Sequence, residues 1–379
     1  MTRRERLMAT LLGEPVDRPA VSFYEIGGFD VNPNDPDEFN IYNDPSWQPL
    51  LQLAEDETDL IRMRAPVLRP RPENCRDRFF QDRSYTEHGC RFVQTTLRAA
   101  GRTMTALSKR DPHLDTVWQV EHLLKDVDDL RAYLDLPDEV FACEPDVSNL
   151  VAAEREVGNR GIVMVDAEDP LCAAAGLFSM ETFTIIAFSE PEWFGRLLEK
   201  VAPHIHDRTR KVAQAFPGRL WRIYGPEYAT EPYLPGRLFE AYVVRHTGPM
   251  VEAIRAGGGL ARIHCHGRIK SILPHLVRMG AAAIDPIEPP PLGNVELADV
   301  RREYGKDLVL FGNLELRDIE NLEPPDFEKV VAKALRDGTG GHGRGFVLMP
   351  SACPCGRTIT PRTLANYQTI VRLATGFRP

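Results

Sequence analysis

Four segments in the last third of the chain, residues 260–266, 281–288, 308–315 and 346–355, run apolar and then stop on polar residues. Short apolar runs bounded by helical stretches predict buried strands of a parallel sheet. The same pattern occurs upstream, so the predicted strands begin at 20, 59, 161, 220, 260, 281, 308 and 345. Helical spacing fills the gaps. Leu197, Leu198, Val201 and Ile205 share one face of a helix over 193–215, and glycines 257–259 end a helix over 239–256. Further helices are predicted near 3–12, 121–134, 268–279, 294–304, 326–337 and 363–375. Eight strands with helices between them are the count of a closed (β/α)8 TIM barrel.

One stretch breaks the alternation. Prolines 66, 70 and 72 open it, and weakly alternating pieces punctuated by Gly89 and Gly101 follow. This reads as an antiparallel β insertion over about residues 66–120, near the N-terminal third of a single domain spanning 1–379. No G-x-G-x-x-G follows a strand and there is no P-loop, so a dinucleotide crevice is unsupported.

Composition narrows the classes. The 43% hydrophobic and 27% charged content is that of an ordinary globular protein. With 46 basic and 55 acidic residues the net charge is −9, and no basic run is interleaved with aromatics, so nucleic acid is not an expected partner. No apolar run is long enough to span a bilayer, and the charged N-terminus is not followed by a signal-like apolar region. Seven cysteines without framework spacing fit a reducing compartment, and a cytoplasmic location is expected.

The chemistry gathers at the strand exits, which in a closed barrel share one mouth. On a strand, residues i and i+2 point to the same face, so His264 and His266 project together while Cys265 faces away. Two imidazoles plus one thiolate, from Cys355 or Cys353, would make a three-ligand catalytic zinc site with one open position. Cys355 is preferred, because Gly356 lets the backbone turn inward. The same two histidines could instead bind a substrate carboxylate without metal. Asp166, Glu227, Asp285, Glu288, Asn313 and Glu315 are the other polar exits, suited to orienting histidines, binding substrate or moving protons. A second His-x-His, His204 and His206, falls inside a helix and is assigned to the surface. Arg62, Arg64, Arg69 and Arg71 are candidates to attract an anion.

Several ordered pieces point to a known family. They run from Arg3-Arg4-Glu5-Arg6 through Gly13-Glu14-Pro15-Val16-Asp17-Arg18-Pro19, then Trp118-Gln119-Val120-Glu121-His122-Leu123-Leu124-Lys125-Asp126. Ile263-His264-Cys265-His266-Gly267, Leu310-Phe311-Gly312-Asn313, Thr360-Pro361 and Asn366-Tyr367 complete the set. This resembles the uroporphyrinogen decarboxylase superfamily, which also contains corrinoid-dependent and coenzyme-M methyltransferases. The resemblance implies a (β/α)8 barrel with a deep cleft at the strand C-termini.

True decarboxylases of this kind hold their substrate's carboxylates with arginines after the first strand. Here Tyr24 and Gly28 stand in those places, which removes the charge-assisted contacts. The methyltransferase branch carries His-x-Cys-Gly and a later Gly-Cys-Gly that bind zinc. Here His264-Cys265-His266-Gly267 and Pro354-Cys355-Gly356 correspond, with His266 in a cysteine's place. The resemblance therefore implies a zinc-dependent methyltransferase with His264, His266 and Cys355 as ligands. It would move a methyl group between a small thiol or methoxylated substrate and a corrinoid held by a separate protein. Glu227, Glu288 and Asn313 are the candidate catalytic residues, and Tyr24, Asp166 and Asp285 the candidate substrate contacts. Alternatives are a metal-free decarboxylase or lyase on another carboxylated substrate, or an inactive ligand-binding relative. A homodimer is the family's habit.

Overall fold

The computed structural model describes residues 1–26, 28–29, 31–340 and 345–378. Fourteen strands are found among them. In chain order they are β1 (Ala20–Val21), β2 (Leu60–Arg64), β3 (Val67–Pro70), β4 (Phe80–Glu87), β5 (Cys90–Ala99), β6 (Arg102–Arg110), β7 (Val117–Glu121), β8 (Cys143–Asp146), β9 (Gly161–Glu168), β10 (Leu220–Tyr224), β11 (Leu260–His264), β12 (Ala283–Asp285), β13 (Val309–Leu314) and β14 (Phe346–Pro350). Eight of them form one sheet in the order β1-β14-β13-β12-β11-β10-β9-β2. Every pairing in it is parallel. The curled sheet is the TIM-like barrel that the apolar runs predict, with strand starts within two residues of expectation.

The seam between β1 and β2 is bridged by Asp59. Its N–H donates to the Val21 carbonyl at 2.7 Å, and its carboxylate accepts from the Val21 N–H at 3.0 Å. Arg6 and Arg18 neutralise this fully buried acid at 2.7 and 2.9 Å. A buried carboxylate so paired and hydrogen-bonded carries a ladder's role in a place where the strand is only two residues long.

Helices sit between the strands as the spacing predicts, including Pro191–Ala215, Arg245–Ala256, Pro324–Thr339 and Pro361–Gly376. The first helix, Arg3–Leu12, begins with a capping box from Thr2 and Glu5 and ends at Gly13 with φ 71°. Its Leu7 and Leu11 belong to the apolar cluster that fills the barrel, together with Ile61, Met63, Ile162, Met164, Leu220, Val309, Phe311, Val347 and Met349. No described helix is long and apolar enough to cross a membrane.

The insertion is antiparallel, with β4-β5-β6-β7 as one sheet. Two expectations shift. The excursion reaches past residue 120, because β3 pairs with β8 at 143–146. The helix expected over 121–134 is only Val127–Leu134: Glu121 ends β7, and Asp126 starts the helix by accepting from the Asp129 N–H. The second His-x-His is half-buried, contrary to a surface assignment. His206 Nε2 lies 2.6 Å from the His246 carbonyl, and the His204 ring packs on Phe141.

Candidate active site

Strand periodicity builds the site. Along β9, β10, β11 and β12 the inward positions are apolar at the bottom and ionisable at the top. Met164 gives way to Asp166, Leu220 to Arg222, Leu260 to Arg262 and then His264, and Ala283 to Asp285. Register aligns these groups: Arg222 sits opposite both Asp166 and Arg262, and His264 opposite both Tyr224 and Asp285. A charged layer therefore lies directly on the apolar fill.

Asp285 is its centre. It is fully buried, with Oδ1 at 2.9 Å from Arg262 Nε and Oδ2 at 2.8 Å from His264 Nδ1. The Tyr24 hydroxyl donates to Oδ2 at 3.4 Å. Burial pushes this carboxyl up, yet Arg262, His264 and Arg222 together hold it well below the usual carboxylate range. Arg262, also fully buried, lies between the rings of Tyr24 and Phe311, 4.5 and 4.8 Å from their centroids. Arg222 pairs with Asp166 at 2.9 Å.

The two histidines differ in charge state. Burial drives the His264 pKa down to about 3, against the pull of Asp285, so its imidazole is neutral. Because ionised Asp285 only accepts, Nδ1 carries the proton and Nε2 keeps the lone pair. His266 is half-exposed, and its Nδ1 lies 3.0 Å from Glu288 Oε1. Burial opposes its protonation, but Glu288, Glu227 and Asp285 outweigh that and raise its pKa. The other Glu288 oxygen accepts the Gly267 N–H at 2.6 Å, and His266 keeps this carboxylate ionised against the effect of burial. The two rings meet edge to face, 4.7 Å apart.

Three more acidic side chains feel the charge of His266. Glu227 accepts the Gly225 N–H at 3.1 Å, and burial raises its pKa. Glu25 accepts from the Tyr24 hydroxyl at 3.2 Å and is raised by burial too. Glu315 is 3% exposed, its Oε1 has no hydrogen-bond partner, and burial followed by the Glu288 charge pushes its pKa to about 7.

Of the residues singled out in the sequence, His264, His266, Tyr24, Asp285 and Glu288 come together through direct contacts. Asp166 joins through Arg222, Glu227 acts on His266 through its charge, and Asn313 shares the inward face of β13 with Phe311.

Cys355 does not join them. It is exposed, and its carbonyl accepts the Asp115 N–H at 2.8 Å, while Leu114 bridges to Gly356 and Trp47 Nε1 donates to the Gly356 carbonyl. The insertion and Trp47 thus tie this loop down. Cys353 lies beside Tyr24 and Glu25, but burial pushes its thiol well up, which disfavours a thiolate. Among the described residues no group of three or more His, Cys, Asp or Glu side chains is gathered to hold a metal ion. The expected set of His264, His266 and Cys355 is therefore not assembled, although both imidazoles have the carboxylate-held Nδ1 typical of metal ligands.

Sequence reasoning missed Arg262, Arg222 and Glu25, and left Glu315 without a role. The arginines could have been found, because each is a lone charged residue at the centre of a short apolar strand run. Arg62, Arg69 and Arg71 are taken by Glu55, Asp146 and Glu144, and Arg64 donates to the Gly28 carbonyl, so this group does not form an anion site.

Comparison with known proteins bears on the fold and the family. A methyltransferase from Methanosarcina mazei matches with a TM-score of 0.60 over 98% of this chain and 98% of its own, at 15% identity. That likeness is one of fold. A D-psicose 3-epimerase matches 64% of this chain and 84% of its own at 13% identity, with a TM-score of only 0.30. No curated protein matches. The family model described as uroporphyrinogen decarboxylase (URO-D) matches residues 95–371, from the insertion through the barrel to the last helix. By that match over most of its length, the chain belongs to the uroporphyrinogen decarboxylase family.

Proposed function

We propose that this protein is a methyl-transferring enzyme that works on a small molecule at the barrel mouth. The acceptor nucleophile is the cobalt of a corrinoid carried by a separate protein. The observation that carries this reading is the pair of carboxylate-held histidines, one neutral with a free lone pair and the other prone to carry a proton. Neighbouring groups whose pKa values are pushed apart mark acid and base roles.

Methyl transfer needs such an acid. As the bond between the methyl carbon and its heteroatom breaks, the electron pair stays on the heteroatom, which becomes basic. The proton on His266 Nε2, or that on Glu315, is available to it. His264, held through Nδ1 by Asp285, offers its Nε2 as an acceptor that orients the substrate. The fold shared with a methyltransferase supports the same reading.

Zinc bound here would supply Lewis-acid polarisation. The residues present offer two nitrogen ligands where a catalytic site takes three protein ligands, so they do not fit zinc as they stand. The orienting and proton steps need only the protein's own groups. The decarboxylase alternative is less well supported, because Arg222 and Arg262, the guanidinium groups at the site, are already partnered by Asp166 and Asp285.

The test is incubation with cob(I)alamin and a panel of ether, thioether and ammonium methyl donors, read as methylcobalamin by visible absorption. Methylcobalamin that forms with the wild type and is slowed about 10²-fold or more by His266→Ala supports the reading. No methylcobalamin from any donor with folded protein overturns it.

A further inference from the structure

The second His-x-His borders a cavity that the barrel mouth does not use. Val201, His204, Ile205 and Arg208 fall at helical spacing on one face of the helix Pro191–Ala215, and all four line a cavity of about 330 Å³. Other walls come from the insertion and the segment after it, with Leu68 of β3, Tyr133 and Phe141. Among the described residues that line it, none belongs to the charged layer of the barrel. Glu168, the last residue of β9 and two past Asp166, forms one side by pairing with Arg208 at 3.3 Å.

The charges on this lining are already answered. Arg71 meets Glu144 at 2.9 Å and Asp207 at 3.2 Å, as Arg208 meets Glu168. Burial lowers the His204 pKa, so the ring is neutral. An ionic ligand would lose its hydration and find no uncommitted counter-charge in return.

What is left uncommitted is uncharged. The Tyr133 hydroxyl, on a residue only 5% exposed, has no hydrogen-bond partner among the described residues, and neither have the ring nitrogens of His204. A buried tyrosine hydroxyl normally finds a partner, and one left open against a cavity is available to a bound group. Water could answer the hydroxyl but not the apolar wall around it. Phe141 stands between the two polar groups, its ring centroid 6.1 Å from that of Tyr133 and 5.2 Å from that of His204, tilted by 53° and 39°. Rings so tilted, with Val201 and Ile205 beside them, suit a flat aromatic ligand held through its faces and edges. The volume lies at the lower end of the range for small-molecule pockets, about 300–1,000 Å³.

We propose that this cavity is a second small-molecule site, which takes an uncharged aromatic hydroxyl compound of one or two fused rings. A phenolic O–H both donates and accepts, which matches what Tyr133 and His204 together offer. The assignment goes beyond methyl transfer at the barrel mouth and does not rest on it, so either can fail alone.

The probes are 2-naphthol and the anion 2-naphthoate, titrated calorimetrically into the full chain at neutral pH, where 2-naphthol is uncharged. 2-Naphthol should bind one to one, and about tenfold or more tighter than 2-naphthoate. Tyr133→Phe, which removes only the hydroxyl, should weaken 2-naphthol about three- to tenfold. Ala173→Phe, which sets a ring into the cavity from its lining, should abolish the binding. Both variants are first checked for a native circular dichroism spectrum. No binding of 2-naphthol up to about 1 mM overturns the assignment, as does equal or tighter binding of 2-naphthoate. Affinity unchanged by Tyr133→Phe, or binding that survives Ala173→Phe, overturns it as well.

Discussion

The exits of β11 and β12 and the exit of β14 carry similar chemical promise in sequence but behave differently in the fold. At the first, His264 and Asp285 are still strand residues, opposite one another in the parallel register, and their side chains point where strand geometry sends them. At the second, β14 ends at Pro350, and Cys355 lies five residues into a loop. That loop is pinned by Asp115, Leu114 and Trp47, all from outside the barrel strands. A residue inside a ladder inherits its direction from local geometry. A residue beyond it goes where tertiary contacts take it.

The sharpest way to break this contrast is to remove the charge that the β12 exit supplies. Asp285→Asn leaves Arg262 and His264 buried without their anion, and should cost about 3–5 kcal/mol in chemical denaturation. Cys355→Ala, at the exposed exit, should stay within about 0.5 kcal/mol of wild type. Comparable losses for the two would show that the β14 loop is as integral to the core as the strand exits.

Activity gives the next largest contrast. In the cob(I)alamin assay His266→Ala should slow methyl transfer about 10²-fold or more, while Cys355→Ala should leave the rate within about twofold. An equal loss for Cys355→Ala would mean that the loop reaches the histidines during turnover.

A subtler effect concerns pH. The Glu315 pKa rises from an ordinary 4.5 to about 7 on folding, so the folded state holds its proton longer than the unfolded chain does. Stability should therefore fall as pH climbs from about 4.5 to about 7, with the full penalty present above that range. Glu315→Gln should flatten this fall, so that the variant gains on wild type as pH rises across the window. Parallel stability curves for the two proteins would place Glu315 in a more hydrated setting.

The smallest difference is one of thiol access. Cys355 should react with an aromatic disulfide reagent in the native protein, whereas Cys265, fully buried with its thiol pushed well up, should wait for unfolding.

The sequence alone determined the parts governed by short-range periodicity. Apolar runs of four to six residues with helices between them placed the barrel strands at 161, 220, 260 and beyond, and the i, i+2 rule put His264 and His266 on one face with Cys265 behind. The partners on the far side of each contact were beyond it. That Asp285 takes both Arg262 and His264, and that Tyr24 reaches it from the other end of the chain, depends on register and ring closure. The pairing of β3 with β8, about 75 residues apart in sequence, follows from the same kind of closure. The place of Cys355 was decided by the insertion packing on its loop. Local geometry repeats every two or 3.6 residues and can be read from a string, whereas long-range contacts are chosen by the whole core's packing and charge balance, which no short window contains.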